Sequence, residues 1–274
     1  MWHCGNFEFQ LTRPVIMGIV NVTPDSFSDG GMHVELDAAC THAHRLIAEG
    51  AQIVDVGGES TRPGSQEVTP EVELARVLPV VQELATEGLC VSIDTRHAIV
   101  ARACAEAGAA IINDVSGFRN PDMVEIAAAC DVGVVAAHML GEPLTMQVAP
   151  HYDDVVAEVC DYLSKQARML ENAGVDPERI CVDPGPGFGK NYEHNRALLQ
   201  GTAGLASLGY PLMAAWSRKG FIGEASGIES ASQRVASSVV VACYAAMQGA
   251  RIIRVHDVAP TAEALRTLAT IGLL

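Results

Sequence analysis

Aromatic side chains are scarce, with Phe, Trp and Tyr making up 5% of the 274 residues. That scarcity excludes a core built on stacked rings. Because 49% of the residues are apolar, the interior must be Val, Ile, Leu and Ala, the composition of buried parallel strands covered by helices. An excess of positive charge is also missing. Lys plus Arg number 18 against 33 Asp plus Glu, a formal net charge of −15, so the basic footprint of a nucleic-acid partner is absent. An anionic small molecule is still permitted, since the far field is screened beyond about 8 Å at physiological salt. A local cluster of Arg, Lys and a bound cation would then have to hold it.

No Cys-x-x-Cys occurs among the eight cysteines, which argues against a zinc site or a redox pair. Cys40, Cys104, Cys130, Cys160 and Cys243 lie in Ala- or Val-rich helical stretches, and Cys90 and Cys181 open apolar runs. They read as buried, reduced thiols, which fits a reducing, cytoplasmic setting. The first twenty residues lack a basic region followed by an apolar run, so no signal peptide is expected. The longest uncharged stretch, Val235 to Ala250, is too short and too Ser-containing for a membrane span. No linker or low-complexity segment divides the chain. The expectation is a small cap segment at 1–13 followed by one domain at 14–274.

What is present is a repeat of short Val- and Ile-rich runs, each followed by a helical pattern. The runs are Val15–Val20, Ile53–Val56, Val91–Asp94, Ile111–Val115, Gly133–His138, Ile180–Asp183, Leu212–Trp216 and Ile252–Val255. Between them, Leu36, Ala39, Cys40, Ala43, Leu46 and Ile47 keep helical spacing, with Gly50 just past the end. Thr69-Pro70 and Asn120-Pro121 supply an N-cap followed by Pro in the first turn. Asp154 through Asn172 reads as a long amphipathic helix closed by Gly174. Pro79, inside another apolar stripe, should kink or interrupt its helix. Eight strands alternating with helices predict a parallel sheet, and the count favours closure into a (β/α)8 TIM barrel.

In such a barrel the chemistry gathers at the C-terminal ends of the strands. Those ends carry Asn21-Val22-Thr23-Pro24-Asp25-Ser26-Phe27-Ser28-Asp29-Gly30-Gly31, then Asp55-Val56-Gly57-Gly58-Glu59-Ser60-Thr61-Arg62-Pro63-Gly64, then Ser92-Ile93-Asp94-Thr95 and Ile112-Asn113-Asp114. Later ones carry Asp183-Pro184-Gly185-Pro186-Gly187-Phe188-Gly189-Lys190, Ser217-Arg218-Lys219-Gly220 and Arg254-Val255-His256-Asp257. A lone Asp or Asn at a strand end is ordinarily a turn former or helix cap, and a lone His is ordinarily a core residue. Seven polar strand ends on one rim weigh against that bland reading, because caps need not converge.

Together these strings resemble the dihydropteroate synthases, pterin-binding enzymes of the folate pathway, in order and spacing from Asn21 to His256. The resemblance implies a (β/α)8 barrel that condenses 6-hydroxymethyl-7,8-dihydropterin pyrophosphate with p-aminobenzoate to give 7,8-dihydropteroate and pyrophosphate. Pterin recognition is carried over to Asp94, Asn113, Asp183 and Lys219, whose acceptors and donors suit an amide-like ring edge. Arg254 and His256 match the family's pyrophosphate contacts and, with Lys219, its catalytic cluster. Thr61 matches a substrate-binding threonine, and Asn21 a ligand of Mg2+, a metal that keeps waters and substrate phosphates. Arg62, Pro63 and Phe188 are candidates to enclose the p-aminobenzoate ring, within loops resembling the family's mobile pair at Thr23 to His33 and Gly58 to Glu67. No Ser-His-Asp or Cys-His arrangement stands out, so catalysis by positioning and by stabilising departing pyrophosphate is expected.

The chain departs from the family pattern at three places. Gly220 stands where Ser is usual, Pro186 where Ile is commoner, and Leu140 where Arg often follows His-Met. The family is typically a homodimer and a sulfonamide target. Val239, Val240, Cys243, Ala246 and Met247, in a helix with little polar face, are the candidate subunit contact. The alternatives are a corrinoid-linked methyltetrahydrofolate methyltransferase and a noncatalytic pterin-binding protein. The expected partners are small-molecule substrates, with neither nucleic acid nor membrane.

Overall fold

Each apolar run becomes a strand, and all eight join one parallel sheet. The computed structural model describes residues 1–23, 31–59 and 68–274, with backbone alone at 31–34. A hairpin of β1 (Trp2–Cys4) and β2 (Phe7–Phe9) precedes the repeat. It is followed by β3 (Val15–Asn21), α1 (Gly31–Ala48), β4 (Ile53–Gly57), α2 (Pro70–Thr86), β5 (Val91–Asp94), α3 (Ala98–Glu106), β6 (Ile111–Asp114) and α4 (Pro121–Ala129). The second half runs β7 (Gly133–Ala137), α5 (Val155–Asn172), β8 (Ile180–Asp183), α6 (Tyr192–Gln200), α7 (Thr202–Ala206) and β9 (Met213–Ala214). It ends with α8 (Gly220–Ser226), α9 (Val235–Met247), β10 (Ile252–Val255) and α10 (Val258–Thr270).

Sheet order is β8-β7-β6-β5-β4-β3-β10-β9. A parallel bridge from Val182 to Leu212 brings β8 back to the start of β9 and closes the ring. β9 is shorter than the apolar run Leu212–Trp216, because the chain turns back at Trp216, whose carbonyl accepts from Lys219 N at 3.2 Å. α2 runs without a break through Pro79. Pro79 and Ala75, whose carbonyl loses its intrahelical donor there, are exposed, so water can take the vacated bond. The caps are those the sequence offers: Thr69, Asn120 and Asp154 each accept from backbone N–H groups of the following turn.

The two-residue period of a strand sorts side chains between two cores. Val54, Val56, Ile112, Val134, Val182 and Ile253 pack outward against the helices. Val15, Met17, Ile53, Cys90, Ile111, Val135, Cys181, Met213 and Ile252 fill the barrel's N-terminal half, where Trp2 and Cys4 of the hairpin join them. Trp2 is fully buried and its indole N–H donates to Arg179 O at 3.0 Å. All eight cysteines are free thiols. Among the described residues no helix is long and apolar enough to cross a membrane.

Candidate active site

Two residues further along several of the same strands the inward positions turn polar. Ile53 is followed by Asp55, Ile111 by Asn113, Cys181 by Asp183 and Ile252 by Arg254. The register places Asp94 beside both Gly57 and Asn113, so these groups form a ring above the apolar layer. They open into a cavity of about 940 Å³ at the C-terminal mouth. Asn21, Asp94, Asn113, Asp183, Phe188, Lys219, Arg254 and His256 all line it. Every candidate that the structure describes is thus at one mouth. Thr61, Arg62 and Pro63 lie outside the described residues, as does most of the first loop.

At the centre, Arg254 donates from Nε to Asp55 at 2.6 Å and from Nη2 to Asp94 at 2.5 Å. Burial works against the Arg254 charge, but Asp55 and Asp94 outweigh it and raise its pKa. Burial pushes Asp94 up to about 7 against the pull of Arg254, with Asp55 and Asp114 adding to the rise. Asn113 donates from Nδ2 to Asp55 at 3.1 Å. Burial also raises Asp183, opposed by nearby Lys219 and by the Gly185 N–H that it accepts at 2.8 Å. Lys219, desolvated beside that carboxylate, is pushed down to about 8. Its ammonium donates to Pro186 O at 2.5 Å and sits 4.4 Å from the centroid of the Phe188 ring.

The Gly-rich loop that carries Pro186 and Phe188 is held from beneath by Lys190. Its buried amine, which desolvation lowers well below the ordinary lysine range, donates to Gly185 O at 2.9 Å and Phe188 O at 3.0 Å and lies 2.8 Å from His138 Nδ1. Burial and Lys190 drive His138 down to about 3, so its ring is neutral. Gly185 is obligatory here, since its φ is +62° and a Cβ would lie 1.9 Å from His138 O. On the adjoining wall Ser217 Oγ lies 3.0 Å from His256 Nδ1. Arg218, at φ +59°, forms a two-pronged pair with Asp257 at 2.5 and 2.9 Å. Arg234 donates to the carbonyls of Arg218 and Lys219 at 2.9 and 3.3 Å, which fixes the turn presenting Lys219.

Asp55, Lys190, His138, Ser217 and the Arg218–Asp257 pair support the walls of the mouth, a place that motif reading does not give them. Asp55 had a signal: it is a carboxylate in the sequence Ile-Val-Asp-Val, on the same face as Ile53, where an unpaired charge would be prohibitive. The others are joined only by the fold.

Fold and site together define a (β/α)8-barrel enzyme whose C-terminal pocket presents hydrogen-bond donors and acceptors. The sequence matches the family described as pterin binding enzyme over residues 17–256. It is 49% identical to the dihydropteroate synthase of Escherichia coli K12 over 95% of this chain and 93% of that one. The structure of the Xanthomonas albilineans dihydropteroate synthase with 4-aminobenzoic acid superposes with a TM-score of 0.91 at 48% identity, covering 96% of this chain and 95% of that one. The same enzyme in complex with 7,8-dihydropteroate gives 0.88 at 45% identity, covering 97% and 96%. This chain belongs to the pterin-binding enzymes, among their dihydropteroate synthases.

Proposed function

We propose that the mouth joins 6-hydroxymethyl-7,8-dihydropterin pyrophosphate to p-aminobenzoate, giving 7,8-dihydropteroate and pyrophosphate for folate biosynthesis. The observation that carries this reading is the shared cavity of Asp94, Asn113, Asp183, Lys219 and Arg254. Asp94 and Asp183 accept from the pterin N–H groups, Asn113 both donates and accepts, and Lys219 donates to the ring carbonyl. A site that pairs every polar atom of the ring rejects analogues lacking one, because its own buried groups would be left unsatisfied.

The methylene C–O bond breaks with its electron pair leaving on pyrophosphate, while the aniline nitrogen forms the new C–N bond and then loses a proton. Positive charge developing at the methylene carbon spreads into the ring, so no covalent nucleophile is needed. Arg254 and His256 bind the departing pyrophosphate, and Ser217 orients the His256 ring. The donor set suits Mg2+ only in company with substrate. Asn21 offers one hard oxygen on the cavity wall, and among the described residues no group of three His, Cys, Asp or Glu is placed to hold a metal ion. Asn21 would hold the ion, which neutralises diphosphate charge when bound. Phe188, with Arg62 and Pro63, would enclose the p-aminobenzoate ring, and Thr61 would contact substrate.

A sulfonamide, an aniline bearing an acidic group para to the amine, should compete for the same position. A homodimer through α9 completes the reading. Val240, Tyr244 and Met247 are exposed there while Ala246, which the sequence reading put on that face, is buried in the core. Sedimentation as a clean monomer at micromolar concentration would dispose of the dimer. For the activity, the purified protein is incubated with both substrates, with and without Mg2+, and pyrophosphate and dihydropteroate are measured. Methyl transfer without pyrophosphate release would favour a corrinoid-linked methyltransferase, and binding without turnover a noncatalytic pterin-binding protein.

A further inference from the structure

Beneath the pocket, bonded to two of its lining residues, lies a carboxylate with no assigned part in recognition. Asp55 has no solvent exposure, and a single oxygen, Oδ2, accepts from both Arg254 Nε and Asn113 Nδ2. Its other oxygen, Oδ1, has no hydrogen-bond partner among the described residues. Through Nη2 the same guanidinium reaches Asp94, so two anions share one cation by different nitrogens. As a device for stability this is poor, since apolar residues of similar volume commonly serve as well or better in place of a buried ion pair. What it supplies is orientation. An Asn carboxamide has a donor end and an acceptor end, and its neighbours decide which end faces a ligand. Asp55 Oδ2 accepts both bonds, so it draws the amino end of Asn113 toward itself. With Nε and Nη2 both engaged, the Arg254 plane is fixed as well.

We propose that Asp55 is a positioning and specificity residue for the pterin substrate: without touching it, Asp55 sets the polarity of the Asn113 carboxamide and the plane of Arg254. This rests on the reading of the mouth as a pterin site. A hydrophobic or neutral residue at 55 would leave the fold's layer intact but let Asn113 turn over, so that a donor would meet a donor on the ring. Asp94 would respond too. It is faced by Asp55 from β4, Asp114 from β6, Arg254 from β10 and Lys219 from the turn before α8. Neutralising Asp55 removes one of the two anions that raise it.

The test compares wild-type enzyme with Asp55→Asn, which keeps the volume and loses the charge. The expected result is a KM for the pterin substrate raised about tenfold or more, with the KM for p-aminobenzoate within about twofold of wild type. The acid limb of the kcat/KM profile for the pterin substrate should also move to lower pH, by about half a unit or more. Unchanged pterin KM together with an unmoved acid limb would overturn the proposal. If circular dichroism and melting show that Asp55→Asn does not fold, Asp55→Ser, which removes volume, is read in the same way. Failure of both to fold would assign Asp55 to stability alone and likewise overturn it. Absence of turnover in the wild-type enzyme would instead sink the reading of the mouth.

Discussion

The two ends of the barrel are built on the same strands, one layer of side chains apart, and they differ in nearly every respect. At the N-terminal end, Met17, Ile53, Ile111 and Ile252 close over Trp2 and Cys4 of the hairpin. At the C-terminal end the next inward residues are Asp55, Asn113, Asp183 and Arg254, most of them almost wholly buried. The lower layer is stabilised by apolar burial, roughly 1.5–3 kcal/mol for each large side chain. The upper layer accepts the desolvation of several ions, and Asp94 and Lys219 are pushed toward neutrality in consequence. The difference teaches that stability and chemistry are separated here by about 7 Å, the rise of two residues along a strand.

The strongest way to break this contrast is at the upper layer. Lys219→Met keeps the stem of the side chain and removes the ammonium. We expect kcat/KM for the pterin substrate to fall about a thousandfold, with a melting temperature within about 3 °C of wild type. Steady-state kinetics and differential scanning calorimetry check both halves. The mirror experiment is Trp2→Ala, which empties a fully buried site. It should cost about 3 kcal/mol and leave kcat/KM within about twofold at a temperature where the variant is folded. A variant of the plug that lost activity while folded would erase the separation.

A milder perturbation is pH. Asp94 must be ionised to accept from the ring, and its pKa is raised to about 7, so activity should fall below that pH. Lys219 must be protonated to donate, and its pKa is lowered to about 8, so activity should fall above that pH. A narrow bell in kcat/KM follows, losing about tenfold per unit outside either limb. A profile flat from pH 6 to 9 would refute these roles. The smallest expected change is Gly220→Ser, which restores the residue common in the family. A Cβ there meets nothing within 4 Å, so the hydroxyl fits at the mouth. Affinity for p-aminobenzoate or a sulfonamide should shift by about threefold, the scale of one exposed hydrogen bond. Titration calorimetry showing both affinities unchanged would refute it.

The sequence made most of the architecture legible because strand period and helix punctuation are local signals. Val91–Asp94, Ile180–Asp183 and Ile252–Val255 are strands with the bounds their apolar runs suggest. β9 was overestimated because apolar Ala215 and Trp216 already belong to the turn, which only the Lys219 N–H to Trp216 carbonyl bond reveals. The rim residues were found through long strings at strand ends. Asp55 stood inside one of those strings and was passed over, although its parity with Ile53 already pointed it inward. The partners of Lys190 and Arg218 lie at His138 and Asp257. No local pattern links such pairs, because the contact exists only once the ring has closed.

The hairpin fastens itself across about two-thirds of the chain. The Trp2 indole bond to Arg179 spans 177 residues, and Cys4 seats against Gly133. During synthesis, therefore, the Trp2 bond cannot close until residue 179 has left the ribosome. Until then the seat of the bottom plug is incomplete, the kind of partly covered apolar surface on which chaperones act and misassembly begins.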